Sequence, residues 1–210
     1  MLRVFFLLFE PAESWLKIAK ARRGYVFILV LHLLPFIAAV TVAEGWGLMH
    51  WGRWQPRMQK IHVFSDARIV WHFEILQAAL FLLVVLVGSL SLHFASETFH
   101  GKKSFLSAFT IMAYGVSPLL LSQFLNLIPA LNLYVGWGIG ITLTVWVMYS
   151  GVPRVMQSLP VHAFGVYLSA AAIVVLLSGL VRAFTAMFLM GQINFSHSTT
   201  TRALGHWLGQ

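Results

Sequence analysis

The chain has 210 residues, 59% hydrophobic and 10% charged, where a soluble domain carries about 45–50% apolar and about 25% charged residues, so a mostly soluble protein is excluded. The formal charge of +8 comes from 14 Lys and Arg against 6 Asp and Glu, and most of these cations flank apolar runs, which argues for membrane anchoring and against nucleic acid as a partner. Cysteine is absent, which excludes disulfides, thiolate ligands and iron–sulfur clusters.

The opening MLRVFFLLFE does not read as a signal peptide: its apolar run stops at Glu10-Pro11 and no small-residue cleavage site follows. In EPAESWLKIAKARR, Pro11 suits a first helical turn. Trp15 and Ile18 lie three apart beside Lys17 and Lys20. This pattern predicts an amphipathic interfacial helix leading to Arg22 and Arg23 at the membrane surface.

Five apolar runs follow, at residues 24–43, 70–94, 105–128, 131–150 and 162–190. Each is long enough to cross roughly 30 Å of hydrocarbon as a helix. The fold class is therefore all-α, a polytopic bundle of five transmembrane helices. It divides into an N-terminal segment 1–23, a membrane domain 24–190 and a polar tail 191–210. The loop 44–69 carries Trp46, Trp51 and Trp54 with Arg53, Arg57 and Lys60, a mixture that suits the headgroup region, so this loop is expected to lie on the membrane. LIPALN between the third and fourth runs is short and uncharged, with Pro129 ending the third helix, and predicts an antiparallel hairpin. With a cytoplasmic N-terminus, eight Lys and Arg fall inside and six outside, a bias in the direction of the positive-inside rule.

Polar residues near the runs are few. HFASETFH places His93, Glu97 and His100 at i, i+4 and i+7, on one helix face. Histidine and carboxylate on one face can hold a metal. However, the stretch ends a helix before Gly101-Lys102-Lys103, where cations and histidine complement the free carbonyls. It also lacks the zincin spacing. The helix-end reading accounts for each polar residue, and no metal or other cofactor is expected. His32 lies ~12 Å into the first run at about 1.5 Å per residue, and neither His72 nor His93 matches that depth for a bis-histidine haem. A bond from His32 to a neighbouring helix is expected instead.

GWGIG sets Gly136, Gly138 and Gly140 on the fourth run, where small residues let helices approach closely, within the bundle or across a homo-oligomer contact. Ser117, Ser122, Gln123, Asn126 and Asn132 point to hydrogen bonding between helices. Glu74 and Arg182 fall at similar depth near the outer side, where they form a candidate ion pair with His72 as a weaker partner; the competing reading is that both simply reach the headgroups. No nucleophile elbow, phosphate loop or paired catalytic carboxylates are found, so the chain does not read as an enzyme.

Several stretches together resemble the Yip domain family, named for proteins that interact with Ypt/Rab GTPases, and its bacterial branch in particular. They are EPAESWLKI, HGKKSF, AYGVSPLLL with Tyr114 and Pro118, and YSGVPRVMQSLPVHA at residues 149–163. The resemblance implies five transmembrane helices, a cytoplasmic N-terminus, a bacterial inner membrane and no catalytic residues. The Asp-Leu-Tyr-Gly-Pro motif of eukaryotic members is missing, and Ala113 stands where a glycine would be, so Rab binding is not carried over. The resulting expectation is a non-catalytic scaffold or accessory subunit of a membrane complex, whose partners are membrane lipids and other membrane proteins. The alternative is a small-solute or ion permease. It would need a continuous polar path, and the sequence offers no charge at mid-membrane.

Overall fold

The structure is a computed structural model that describes residues 2–21, 23–55, 60–98, 104–157 and 160–190. Five helices are long and apolar enough to cross a membrane: Tyr25–His50, Ala67–Thr98, Phe105–Leu127, Leu133–Met156 and His162–Leu189, taken below as the first to fifth spans. The tail 191–210, the segment 99–103 with His100, and Arg57 lie outside the described residues.

Two short helices, α1 (Leu2–Phe9) and α2 (Pro11–Ala21), precede the spans. Pro11 opens α2, where its missing amide hydrogen costs nothing. Trp15 and Ile18, expected at the membrane interface, are buried in the main core. The Trp15 Nε1 donates to Val147 O of the fourth span at 2.9 Å. The indole lies against Gly151, where a Cβ would collide with the ring.

The third span is the centre of the bundle: 78% of its apolar window is buried, against 28% to 39% in the other four. It is also the most irregular. An α-helix to Gly115 restarts at Ser117-Pro118 and tightens into a 3₁₀ turn at Gln123–Leu127. Pro118 has no amide hydrogen to continue the first helix, so the break falls where the sequence removes a donor. The third and fourth spans pack as the expected hairpin. Asn132 starts the fourth span by accepting from Tyr134 N through its side chain at 2.9 Å. The second span packs on the first, third and fifth, and the fourth on the fifth.

The first span is longer than hydropathy predicts. It continues past residue 43 to His50, because Glu44 turns into the bundle and does not end the helix. One turn of it, Leu29–Leu33, is a π-helix just before Pro35, which again lacks an amide hydrogen. This turn aims His32 inward. Its Nε2 lies 3.0 Å from Ser117 Oγ, and its ring stacks on Tyr114 with centroids 4.2 Å apart. The expected bond from His32 to a neighbouring helix is thus made to the third span.

The loop after the first span has a defined shape. It folds into an antiparallel hairpin, β1 (Arg53–Gln55) and β2 (Lys60–His62), with Trp54 opposite Ile61. Gly52 enters it at φ +68°, and a Cβ there would collide with His62 O, so glycine is required. Trp54 N donates to Pro129 O at 3.1 Å, which pins the hairpin to the turn between the third and fourth spans. Trp46, Trp51 and Trp54 remain exposed, but Arg53 is buried.

Candidate functional site

At the hairpin end of the bundle, polar residues from four spans and the hairpin meet in one buried layer. Helical geometry assembles it in pairs. Glu74 and Gln77 are three apart on the second span, and Arg182 and Thr185 three apart on the fifth, so each pair shares a face. Gln123 and Asn126 are three apart in the 3₁₀ turn of the third span, where such residues eclipse each other. Asn126 Nδ2 accordingly donates to Gln123 Oε1 at 2.9 Å.

Glu44 of the first span is the hub. Its carboxylate accepts from Gln77 Nε2 at 2.8 Å and from Asn126 Nδ2 at 2.9 Å. Thr185 Oγ1 donates to Gln77 Oε1 at 3.0 Å, and Arg182 Nη2 donates to Gln123 Oε1 at 2.9 Å. Because Thr185 and Arg182 sit on one helix, these bonds close a ring that runs through the first, second, third and fifth spans. Arg53 seals it from the hairpin side, with Nη1 donating to Asn126 O at 2.6 Å and Nη2 to Leu131 O at 3.2 Å. Both arginines lie in the same layer as Glu44, although neither forms a salt bridge with it. Arg53 and Arg182 are each 4% exposed and Glu44 is 3% exposed, so these charges interact in a medium of low dielectric, where an unmatched charge is costly.

Glu74 stands apart. It is fully buried, yet neither of its carboxyl oxygens has a hydrogen-bond partner among the described residues. It packs over Gly45, where a Cβ would come within 3.1 Å of Glu74 Cγ. The predicted Glu74–Arg182 ion pair is therefore corrected. Both residues lie in the polar layer, but the central third span presents Gln123 to Arg182. His72 takes no part: it is exposed, and its Nδ1 donates to Arg68 O at 2.6 Å. Among the described residues the salt bridge found is the exposed Lys17–Glu13 pair, at 3.4 Å.

The remaining expected positions are dispersed. Gly136 and Gly140 are buried against the third span, with Leu125 Cβ 3.6 Å from a Cβ built at Gly136, while Gly138 faces open space. Two of the three glycines thus serve packing within the bundle. His93 is partly buried and Glu97 exposed at the opposite end of the second span. Their expected companion His100 lies outside the described residues, and among the described residues no group of three or more His, Asp or Glu is placed to hold a metal ion. Sequence reading missed Gln77, Thr185 and the inward turn of Arg53. Polar residues recurring three apart on separate spans were the available signal.

Five apolar helices, four of them joined by a buried polar ring, define a multi-pass helical membrane protein. The Yip1 domain profile matches residues 5–196, nearly the whole chain, and the protein belongs to the Yip1 domain family. No curated protein and no solved structure matches the chain.

Proposed function

We propose that this chain is a non-catalytic scaffold or accessory subunit of a membrane complex, seated in a bacterial inner membrane with its N-terminus in the cytoplasm. The observation that supports the non-transporting role is the closure of the polar ring. Apart from Glu74, the polar groups of this layer are bonded to one another, and the void beside Gln123, Arg182 and Thr185 measures about 10 Å³. That is room for at most about one water molecule. The orientation is supported by the excess of basic residues assigned to the side of α2, and the bacterial assignment by the motifs quoted above.

The permease reading keeps one observation in its favour, the buried His32–Ser117 contact deep in the bundle. Purification from native membranes in mild detergent, followed by reconstitution into liposomes, separates the two. A scaffold retains a membrane-protein partner at fixed stoichiometry and leaves liposomes as tight as empty ones. Ion or solute flux that disappears in His32→Ala would refute the scaffold and favour the permease.

A further inference from the structure

At the end of the bundle opposite the polar ring there is a cavity of about 640 Å³, within the usual range of about 300–1,000 Å³ for ligand sites. It lies where the end of α2, the starts of the first and third spans and the end of the fourth span come together. Three cations line it: Lys20, Arg23 and Arg154. Among its described lining residues there is no acid to neutralise them. Ser104, Ser107 and Tyr114 share the wall, and Leu16, Ile28 and Leu106 supply an apolar side.

Two of the cations are held in place. The Arg23 guanidinium lies 4.4 Å from the centroid of the Phe27 ring, and Arg154 Nη1 donates to Ser150 O. Convergent like charges repel, and holding them together in a cavity is favoured when an anion enters. Tyr114 adds an independent observation: it is 1% exposed and its hydroxyl has no hydrogen-bond partner among the described residues. A buried hydroxyl without a partner costs free energy that a bound acceptor would recover. Arginine, lysine and hydroxyl donors around an apolar wall match a phosphate that carries hydrocarbon, since phosphate oxygens accept several charge-assisted hydrogen bonds at once. The position at the span ends is the depth at which lipid phosphates lie.

We infer that this cavity binds the phosphodiester headgroup of an anionic phospholipid, with Lys20, Arg23 and Arg154 on the phosphate, Ser104, Ser107 and Tyr114 as further donors, and Leu106 and Ile28 against the start of the lipid's apolar part. The site is independent of the scaffold reading, because it lies at the other end of the bundle and involves none of the ring residues.

The full chain in neutral detergent tests this, with short-chain phosphatidylglycerol, short-chain phosphatidylcholine and inorganic phosphate as probes, and thermal unfolding and native mass spectrometry as readouts. Phosphatidylglycerol is expected to raise the melting temperature saturably and to remain bound as one molecule. Each of Lys20→Gln, Arg23→Gln and Arg154→Gln is expected to weaken half-saturation about tenfold, the worth of one charge-assisted hydrogen bond. Arg68→Gln, at the other end of the bundle, should leave it unchanged. Lys20 is exposed, so its variant folds whatever the fate of the arginine variants. The proposal is overturned if phosphatidylcholine acts as strongly as phosphatidylglycerol or if Lys20→Gln and Arg154→Gln titrate like the parent. Inorganic phosphate reproducing the full effect would overturn the lipid assignment.

Discussion

Replacing Glu44 and Glu74 separately by methionine should give opposite results, although both are buried carboxylates on neighbouring helices. Glu44→Met removes the acceptor of Gln77 Nε2 and Asn126 Nδ2. In a soluble interior an orphaned buried donor costs roughly 1–3 kcal/mol. Hydrogen bonds between membrane helices average only about 0.6 kcal/mol, because the unfolded chain in the bilayer finds other partners. Two bonds at the membrane value come to about 1.2 kcal/mol, and no charge-pair contribution is added, because Glu44 makes no salt bridge with either arginine. We expect a loss of about 1–3 kcal/mol, between the membrane and the soluble-interior values. Glu74→Met breaks no hydrogen bond described in the structure. It exchanges an unpaired buried carboxyl for an apolar side chain of similar length, and we expect a change within about 0.5 kcal/mol or a gain in stability. Unfolding by dodecyl sulfate from mild-detergent micelles measures both, with tryptophan fluorescence as the signal. A Glu74→Met variant destabilised as much as Glu44→Met would refute the assignment of Glu44 as hub and Glu74 as bystander.

The glycines of the fourth span should differ sharply. Gly140→Leu forces a side chain into Ser122 and is expected to cost about 1–3 kcal/mol or more, while Gly138→Leu enters open space and should change stability by less than about 0.5 kcal/mol in the same titration. Trp15→Ala is expected to cost about 3–5 kcal/mol. Gly151→Leu, which displaces the indole from the other side, should release α2 and expose a cysteine placed at Ile18 to a water-soluble maleimide, so an unchanged labelling rate would count against the docking. For orientation, a single cysteine at Lys17 has no native thiol background and should react with an impermeant reagent only after the membrane is opened. Labelling of intact cells would reverse the topology.

How much of this was legible beforehand follows from what a helix preserves. Rise per residue is fixed, so hydrophobic length gave the five spans, and counting residues along them put Glu74 and Arg182 at one depth. Rotation about each axis and the order of neighbours are set by packing, and hydropathy does not carry them. Arg182 could have met any polar group at its level. It met Gln123 because the third span occupies the centre, a fact recorded only weakly in the sequence by the polar and broken character of that span around Ser117-Pro118 and Gln123–Leu127. The same gap explains the misplaced end of the first span. Glu44 reads as a boundary on any hydropathy scale, yet its carboxylate is satisfied by Gln77 and Asn126, so the helix runs on to His50.

Arg53 was the hardest residue to place. Set among tryptophans and further basic residues, it has the composition of a headgroup anchor, and Trp46, Trp51 and Trp54 do remain exposed. What turns Arg53 inward is the hairpin that Gly52 permits and Trp54 pins to Pro129. Composition describes the average surroundings of a loop, whereas a single left-handed glycine decides which of its side chains points the other way. The pairs Glu74/Gln77, Gln123/Asn126 and Arg182/Thr185 carried the stronger signal. A polar residue repeated after three positions near the end of an apolar helix specifies a face, and three such faces on three helices at one depth have few places to go except toward each other.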